Sequence, residues 1–237
     1  MRLCTLIALA AAGCASSIAE PDGPDAGSRA DAGQKMDAST SSVCEAIVEN
    51  PSGSIDRGRV GSDAGGGKGP LLKCDDQGYE QIVGLSLQMS NQATVFGGRS
   101  AQGIAIGCAR VTIDPSGAAQ LGEVKPKMAS GTGTNGWAPS TWTPMTECKP
   151  GWVVSGLLVH RGTSGNRFLD VTMTCSHLGP TGKTLASESI KLAGSLTDTA
   201  SPDQVKCAAG EVISKLPTFT GAGLDAVEVY CSTTACI

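Results

Sequence analysis

Three stretches of this chain repeat one layout, and an internal repeat constrains a fold more than any single motif, because each copy must bury its apolar face against the others. The first reads Lys73-Cys74, then GYEQIVGLSLQ, then GIAIGC ending at Cys108; the second reads Glu147-Cys148, PGWVVSGLLVH and LDVTMTC ending at Cys175. The third reads Lys206-Cys207, AGEVISKLPTF and LDAVEVYC ending at Cys231. In each, a cysteine and a turn glycine (Gly78, Gly151, Gly210) lead into an apolar run, a glycine-rich hairpin and a second run that closes on another cysteine. The second runs align as Ile104/Ile106/Cys108, Val171/Met173/Cys175 and Val227/Val229/Cys231. This is period-two alternation, the signature of strands with one face buried.

Pairing Cys74 with Cys108, Cys148 with Cys175 and Cys207 with Cys231 staples each copy, and Cys44 and Cys236 remain to tie the ends together. The repeat thus selects one scheme from the hundred or so (on the order of 100) that eight cysteines allow. Further strands are expected at 109–113, 122–127 and 189–193. The segment 54–61 stands before the first copy as 189–194 stands before the third, so an N-terminal strand is expected to complete the last copy. Three four-stranded units closed by the N-terminus around a pseudo-threefold axis define an all-β type I β-prism, which leaves few open edges. The rival threefold form, the β-trefoil, uses shorter repeats than these.

Composition agrees with an all-β chain. There are 32 glycines and 17% charged residues, too much of one and too little of the other for a helical bundle. A net charge of −4 gives no general attraction for nucleic acid or an anionic membrane surface, so no nucleic-acid partner is expected. With 3 Trp, 2 Tyr and 3 Phe, an extended stacking platform is not expected either.

The N-terminus has its own logic. Arg2 precedes an apolar run from Leu3 to Ala12, too short for the about 20 residues that span a bilayer but long enough for a signal-peptide core. Ala11-Ala12-Gly13-Cys14 resembles a bacterial lipobox, with Ala11 where leucine is usual. The resemblance implies lipidation at Cys14 and an outer-membrane lipoprotein, and plain secretion after cleavage at Ser17-Ile18-Ala19 is the alternative. Residues 1–19 are therefore expected to be a signal peptide. Residues 20–42, rich in Asp, Ala, Gly and Ser and nearly free of large apolar side chains, are expected to be a disordered spacer. The folded domain is expected over 43–237. Eight cysteines remain in either case, an even number suited to an oxidising compartment.

The residues also resemble two β-prism families. Phe219-Thr220-Gly221-Ala222-Gly223-Leu224-Asp225, followed by the strand AVEVY, resembles the GxxxD binding loop of jacalin-related lectins. Gly65-Gly66-Gly67-Lys68-Gly69, followed by GYEQIVGLSL, resembles that family's glycine-rich opening loop and first long strand. The cysteine pair in each copy, with Trp137 and Trp142 before Cys148, resembles the vitelline membrane outer layer proteins. The likeness covers about 58–230.

The lectin resemblance implies that the two loops meet, with a sugar held between backbone groups and a carboxylate. Asp225 would accept hydroxyl protons, Ala222, Gly223 and Leu224 would offer backbone groups, and Gly66 or Gly67 would close the far side. Glycine permits close approach, and a carboxylate accepting hydroxyls makes charge-assisted hydrogen bonds. Asp170 is a weaker second candidate, and Gln102 holds the corresponding place in the first copy. The same Gly-x-x-x-Asp pattern also suits a plain hairpin turn. A carbohydrate is thus the expected partner, with the membrane reached through the lipid, and a structural or protein-binding envelope protein is the alternative.

Other motifs fall short. Gly179-Pro180-Thr181-Gly182-Lys183-Thr184 has His177 where a phosphate loop needs its first glycine, and LASESIKLAG after it reads as a strand. Neither His160 nor His177 stands beside an obvious nucleophile, and no cysteine or histidine cluster has zinc spacing. Asp75, Asp76, Asp170 and Asp225 have no spacing that would place two of them as glycosidase carboxylates. No enzyme activity, metal or cofactor is expected.

Overall fold

The computed structural model describes residues 44–50, 53–62, 66–93, 99–130, 140–162, 168–179, 181, 184–193, 202–221 and 223–237. The expected signal, Cys14 and the spacer lie outside them. All belong to one compact unit, Ser41–Ile237. Its strands are β1 (Ile47–Glu49), β2 (Ile55–Gly61), β3 (Gly67–Lys73), β4 (Glu80–Ala93), β5 (Arg99–Ile113), β6 (Ala119–Leu121), β7 (Lys125–Ser130) and β8 (Ser140–Trp142). They continue with β9 (Thr146–Glu147), β10 (Trp152–Arg161), β11 (Phe168–Leu178), β12 (Thr184–Ala193), β13 (Pro202–Lys206), β14 (Glu211–Thr220) and β15 (Leu224–Cys236).

These strands form three antiparallel sheets, each built on one long hairpin: β4/β5, β10/β11 and β14/β15. The strand that follows a hairpin covers its second arm, as β6 and β7 do on β5 and β12 does on β11. The strand that comes next returns to the first arm, as β8 and β9 do on β4 and β13 does on β10. In the third sheet these places are taken by strands from the start of the domain. β1 and β2 cover β15, and β3 covers β14. The fold is a disulfide-bonded β-prism, closed by the N-terminal strands.

The closure is fuller than the sequence suggests. One completing strand is expected, whereas the third sheet draws all its outer strands from the first 73 residues. The reason lies in the repeat itself: the strand before each copy's first cysteine belongs to the preceding sheet, and for the first copy the preceding sheet is the third. Residues 109–113 also continue β5 rather than forming a strand of their own, although the apolar positions change parity there, from Ile104, Ile106 and Cys108 in the main core to Ala109, Val111 and Ile113 in a second cluster. The expected strand at 122–127 begins later, at Lys125.

The same irregularity recurs in all three sheets. Ile82 pairs with Cys108, Val154 with Cys175 and Ile213 with Cys231, and one residue bulges out directly after each. A bulge turns its carbonyl out of the regular ladder. That carbonyl meets the crossing chain: Val83 accepts from the Cys148 N–H at 2.8 Å, and Ser155 from the Cys207 N–H at 2.8 Å.

All four disulfides follow the expected pairing, Cys44–Cys236, Cys74–Cys108, Cys148–Cys175 and Cys207–Cys231. They tie more than a hairpin. The Cys148 backbone is bonded to β4 of the first sheet, while its sulfur joins β11 of the second; Cys207 links the second sheet to the third in the same way. These two bridges thus fix points where the chain passes between sheets.

The alternating residues meet along the axis. Leu85, Ile106, Leu157, Met173, Ile213 and Val229 are essentially inaccessible and share one core with five of the bridging cysteines. Each such side chain contributes about 1.5–3 kcal/mol on burial. A smaller cluster, including Cys44, Ile47, Val111, Ile113 and Leu178, fills the end where the termini meet. There Glu45 and Ala46 donate backbone hydrogen bonds to the Ile237 carbonyl. The turn glycines Gly78, Gly151 and Gly210 all have φ between 77 and 84°, a conformation that side chains resist.

Candidate functional site

The β14/β15 hairpin turns at 221–223, where the Gly221 N–H donates to the Gly223 carbonyl at 3.0 Å. Leu224 then points into the core at 0% exposure, so it serves packing as well as chain direction. Asp225 follows at 8% exposure. Its backbone carbonyl accepts from the Ser62 N–H at 3.0 Å, at the end of β2.

The other half of the site comes from the chain between β2 and β3. A Cβ on Gly66 would lie 2.8 Å from Asp225 Oδ2 and 3.3 Å from the Thr220 nitrogen, so a side chain there would have to displace the carboxylate. Gly67 pairs with Thr220 and has open space where a side chain would stand. Gly66 therefore lies against the Asp225 carboxylate, though 159 residues separate them in sequence. Gly223 packs against the carbonyl of Ala101 at the start of β5, which brings the third hairpin's tip to the first sheet. Ala222, Gly65 and Trp137 lie outside the described residues.

Gly61 locks this arrangement. It has φ of 101°, and a Cβ there would stand 2.2 Å from the Asp225 carbonyl and 2.7 Å from the Phe168 ring. Phe168, wholly buried at the start of β11, thereby supports the same end of the prism from the second sheet. The result is a carboxylate edged by bare backbone, able to accept protons from hydroxyl groups that approach over Gly66 and Gly67.

The remaining sequence candidates have other partners. Asp170 is buried and ion-paired with Lys191 at 2.9 Å, and its second oxygen has no hydrogen-bond partner among the described residues. Asp75 accepts from the backbone N–H groups of Gln77, Gly78, Tyr79 and Glu80, which makes it the staple of a turn. Lys73 hydrogen-bonds Asp76 and holds its carboxyl below the usual carboxylate range. Trp152 stacks on His177 at 5.4 Å between ring centroids and packs against the core. Trp142 lies in β8 and is half-buried.

The sequence does not single out Glu49. In β1 it is 7% exposed, and burial, reinforced by the Asp75 charge, pushes its carboxyl up to about 8. Its partner is the Ser232 hydroxyl of β15. A lone acidic residue within the IVE strand carries no signal of this, because the burial comes from closure of the ends.

No family model and no curated protein matches this chain. Among solved structures it is similar to Calystegia sepium agglutinin, with 13% identity over 75% of this chain and 95% of that one, at a TM-score of 0.47. It is similar to Malaysian banana lectin at 14% identity, covering 76% and 98% of the two chains, with a TM-score of 0.41. A mannose-binding jacalin-related lectin from Ananas comosus gives 16% identity over 75% and 96%, with a TM-score of 0.40.

Proposed function

We propose that this protein is a carbohydrate-binding module of the lectin type, exported and held to the outer membrane of a bacterial envelope by a lipid on Cys14, with the β-prism displayed on the spacer 20–42. The observation that carries the binding role is the meeting of Gly66 with the Asp225 carboxylate at the tip of the third hairpin. In this reading Asp225 accepts hydroxyl protons, the backbone at Ala222, Gly223 and Leu224 orients the sugar, and Gly66 and Gly67 leave room for its edge. Four disulfides support export, since such bridges persist in oxidising compartments.

The test is a glycan array probed with the protein and with Asp225→Ala. The expected result is binding to a defined glycan set that the variant loses while keeping its unfolding temperature. Binding by neither protein, or equal binding by both, removes the lectin reading. A second reading is favoured by the 8% exposure of Asp225: the carboxylate organises the loop, and the prism is a structural or protein-binding envelope surface. Under it Asp225→Ala destabilises the protein, and no glycan binds.

A further inference from the structure

At the end of the prism opposite the hairpin tips, an open cleft of about 620 Å³ lies beside the start of β4 and the end of β5. We infer that this cleft is a second binding site, for a neutral pyranoside, formed by Tyr79, Arg110 and Glu123. It goes beyond the Asp225 site and shares no residue with it.

The argument begins with the aromatic ring. Among the described aromatic side chains, Trp152 is stacked on His177, Phe168 is in the core, Trp142 is half-buried in β8, Arg59 lies 4.1 Å above Phe219 and Lys215 lies 4.5 Å above Tyr230. Tyr79 differs, at 37% exposure, and its ring stands at the wall of the cleft. The Arg110 guanidinium lies over the ring, 5.7 Å from its centroid, where it is a cation–π partner on one side and can still offer N–H groups to the cleft.

The charges then divide into spent and unspent groups. Asp75 is consumed by four backbone N–H groups, and Glu80 is paired with Lys125 at 3.4 Å. Arg110 and Glu123 have no hydrogen-bond acceptor or donor among the described residues, and the Gly122 N–H to Arg110 carbonyl bond, at 2.9 Å, holds their backbones side by side.

An exposed ring flanked by one free donor fork and one free carboxylate matches a particular ligand chemistry. The vicinal hydroxyls of a pyranoside both donate and accept, so one can donate a hydrogen bond to Glu123 while its neighbour accepts one from Arg110. The apolar face of the sugar rests on the part of the Tyr79 ring that Arg110 leaves exposed. An anion would meet Glu123 and a cation Arg110, so the matched pair selects a neutral ligand. The volume lies within the range of ordinary small-molecule sites.

The chain has 2 tyrosines, so 3-fluorotyrosine labelling of the full protein gives separate fluorine resonances for Tyr79 and Tyr230. The probes are methyl α-mannopyranoside, methyl β-galactopyranoside and methyl N-acetyl-β-glucosaminide, with N-acetylneuraminic acid as the charged comparison. The Tyr79 resonance is expected to shift saturably with at least one neutral probe and not with the acid. The shift should persist in Asp225→Ala and weaken about tenfold in Glu123→Gln, an exposed position whose change leaves the fold intact. A Tyr79 resonance that no neutral probe moves, or that moves equally in Glu123→Gln, overturns the inference. So does a shift that disappears with Asp225→Ala. Failure here leaves the array result at Asp225 untouched, and failure there leaves Tyr79 free to respond.

Discussion

Glu49→Gln gives a stability effect whose sign and size follow from one buried group. Burial raises the carboxyl from 4.5 to about 8, the Asp75 charge adds to this, and the Ser232 hydrogen bond opposes it. The folded protein therefore keeps a proton on Glu49 that the unfolded chain releases near pH 4.5. Between these values folding takes up a proton, so stability is greatest on the acid side and falls as pH rises. It is fully present below pH 4.5 and lost above about 8. At about 1.4 kcal/mol per unit, the loss is about 5 kcal/mol. Glutamine has nearly the same shape, can accept from Ser232 and never ionises. Urea unfolding of both proteins at about pH 5, 7 and 9, with disulfides intact, should show the wild type losing about 4 kcal/mol of this relative to the variant. Parallel pH profiles, agreeing within about 1 kcal/mol, would refute the reasoning, because they would mean that Glu49 is solvated or that water enters the seam between β1 and β15.

Other perturbations test other joints. Replacing Cys44 and Cys236 together with serine opens a loop of 192 residues and should cost about 4–5 kcal/mol, measured by the same unfolding assay against an intact control; an unchanged midpoint would show that backbone pairing alone holds the ends. Gly61→Ala forces a side chain into the Asp225 carbonyl at positive φ and should cost about 2–4 kcal/mol. A wild-type melting temperature in that variant would contradict the close approach. Phe168→Ala should cost about 3–5 kcal/mol, and any glycan binding at Asp225 should weaken with it, since the ring supports Gly61.

The fold was legible because its repeat is written in cysteines. Cys108, Cys175 and Cys231 mark the same place in three strands, so their partners could be named from order alone. The turn glycines Gly78, Gly151 and Gly210 were legible for a related reason: positive φ selects the residue type. The bulges at Val83, Ser155 and Ser214 were not, since a valine and two serines share no one residue type, and at Val83 and Ser155 the common feature is a backbone carbonyl that accepts from the next cysteine's N–H. At the candidate site, the adjacency of Gly66 and Asp225 was implied by a family pattern, whereas the role of Gly61 was hidden, because the groups it nearly touches come from β11 and β15. Glu49 and the Tyr79 cleft were hidden too. Burial of the one and exposure of the other depend on how the ends of the strands are covered.

The way the third sheet is completed sets an order of events when the chain is made. β1, β2 and β3 emerge first, yet their hydrogen-bonding partners are β14 and β15, which emerge last. The first two hairpins can form as soon as they appear, but the opening strands must wait, with unpaired edges, for nearly the whole domain. Such distant pairing makes folding slow and leaves a long interval in which an edge can join a neighbouring molecule instead. A chain halted before Leu224 would leave β1 and β2 without their partner, however well its first two sheets were built. Completion of the last hairpin is therefore the quality check on the whole molecule, and the Cys44–Cys236 bridge records that it has been passed.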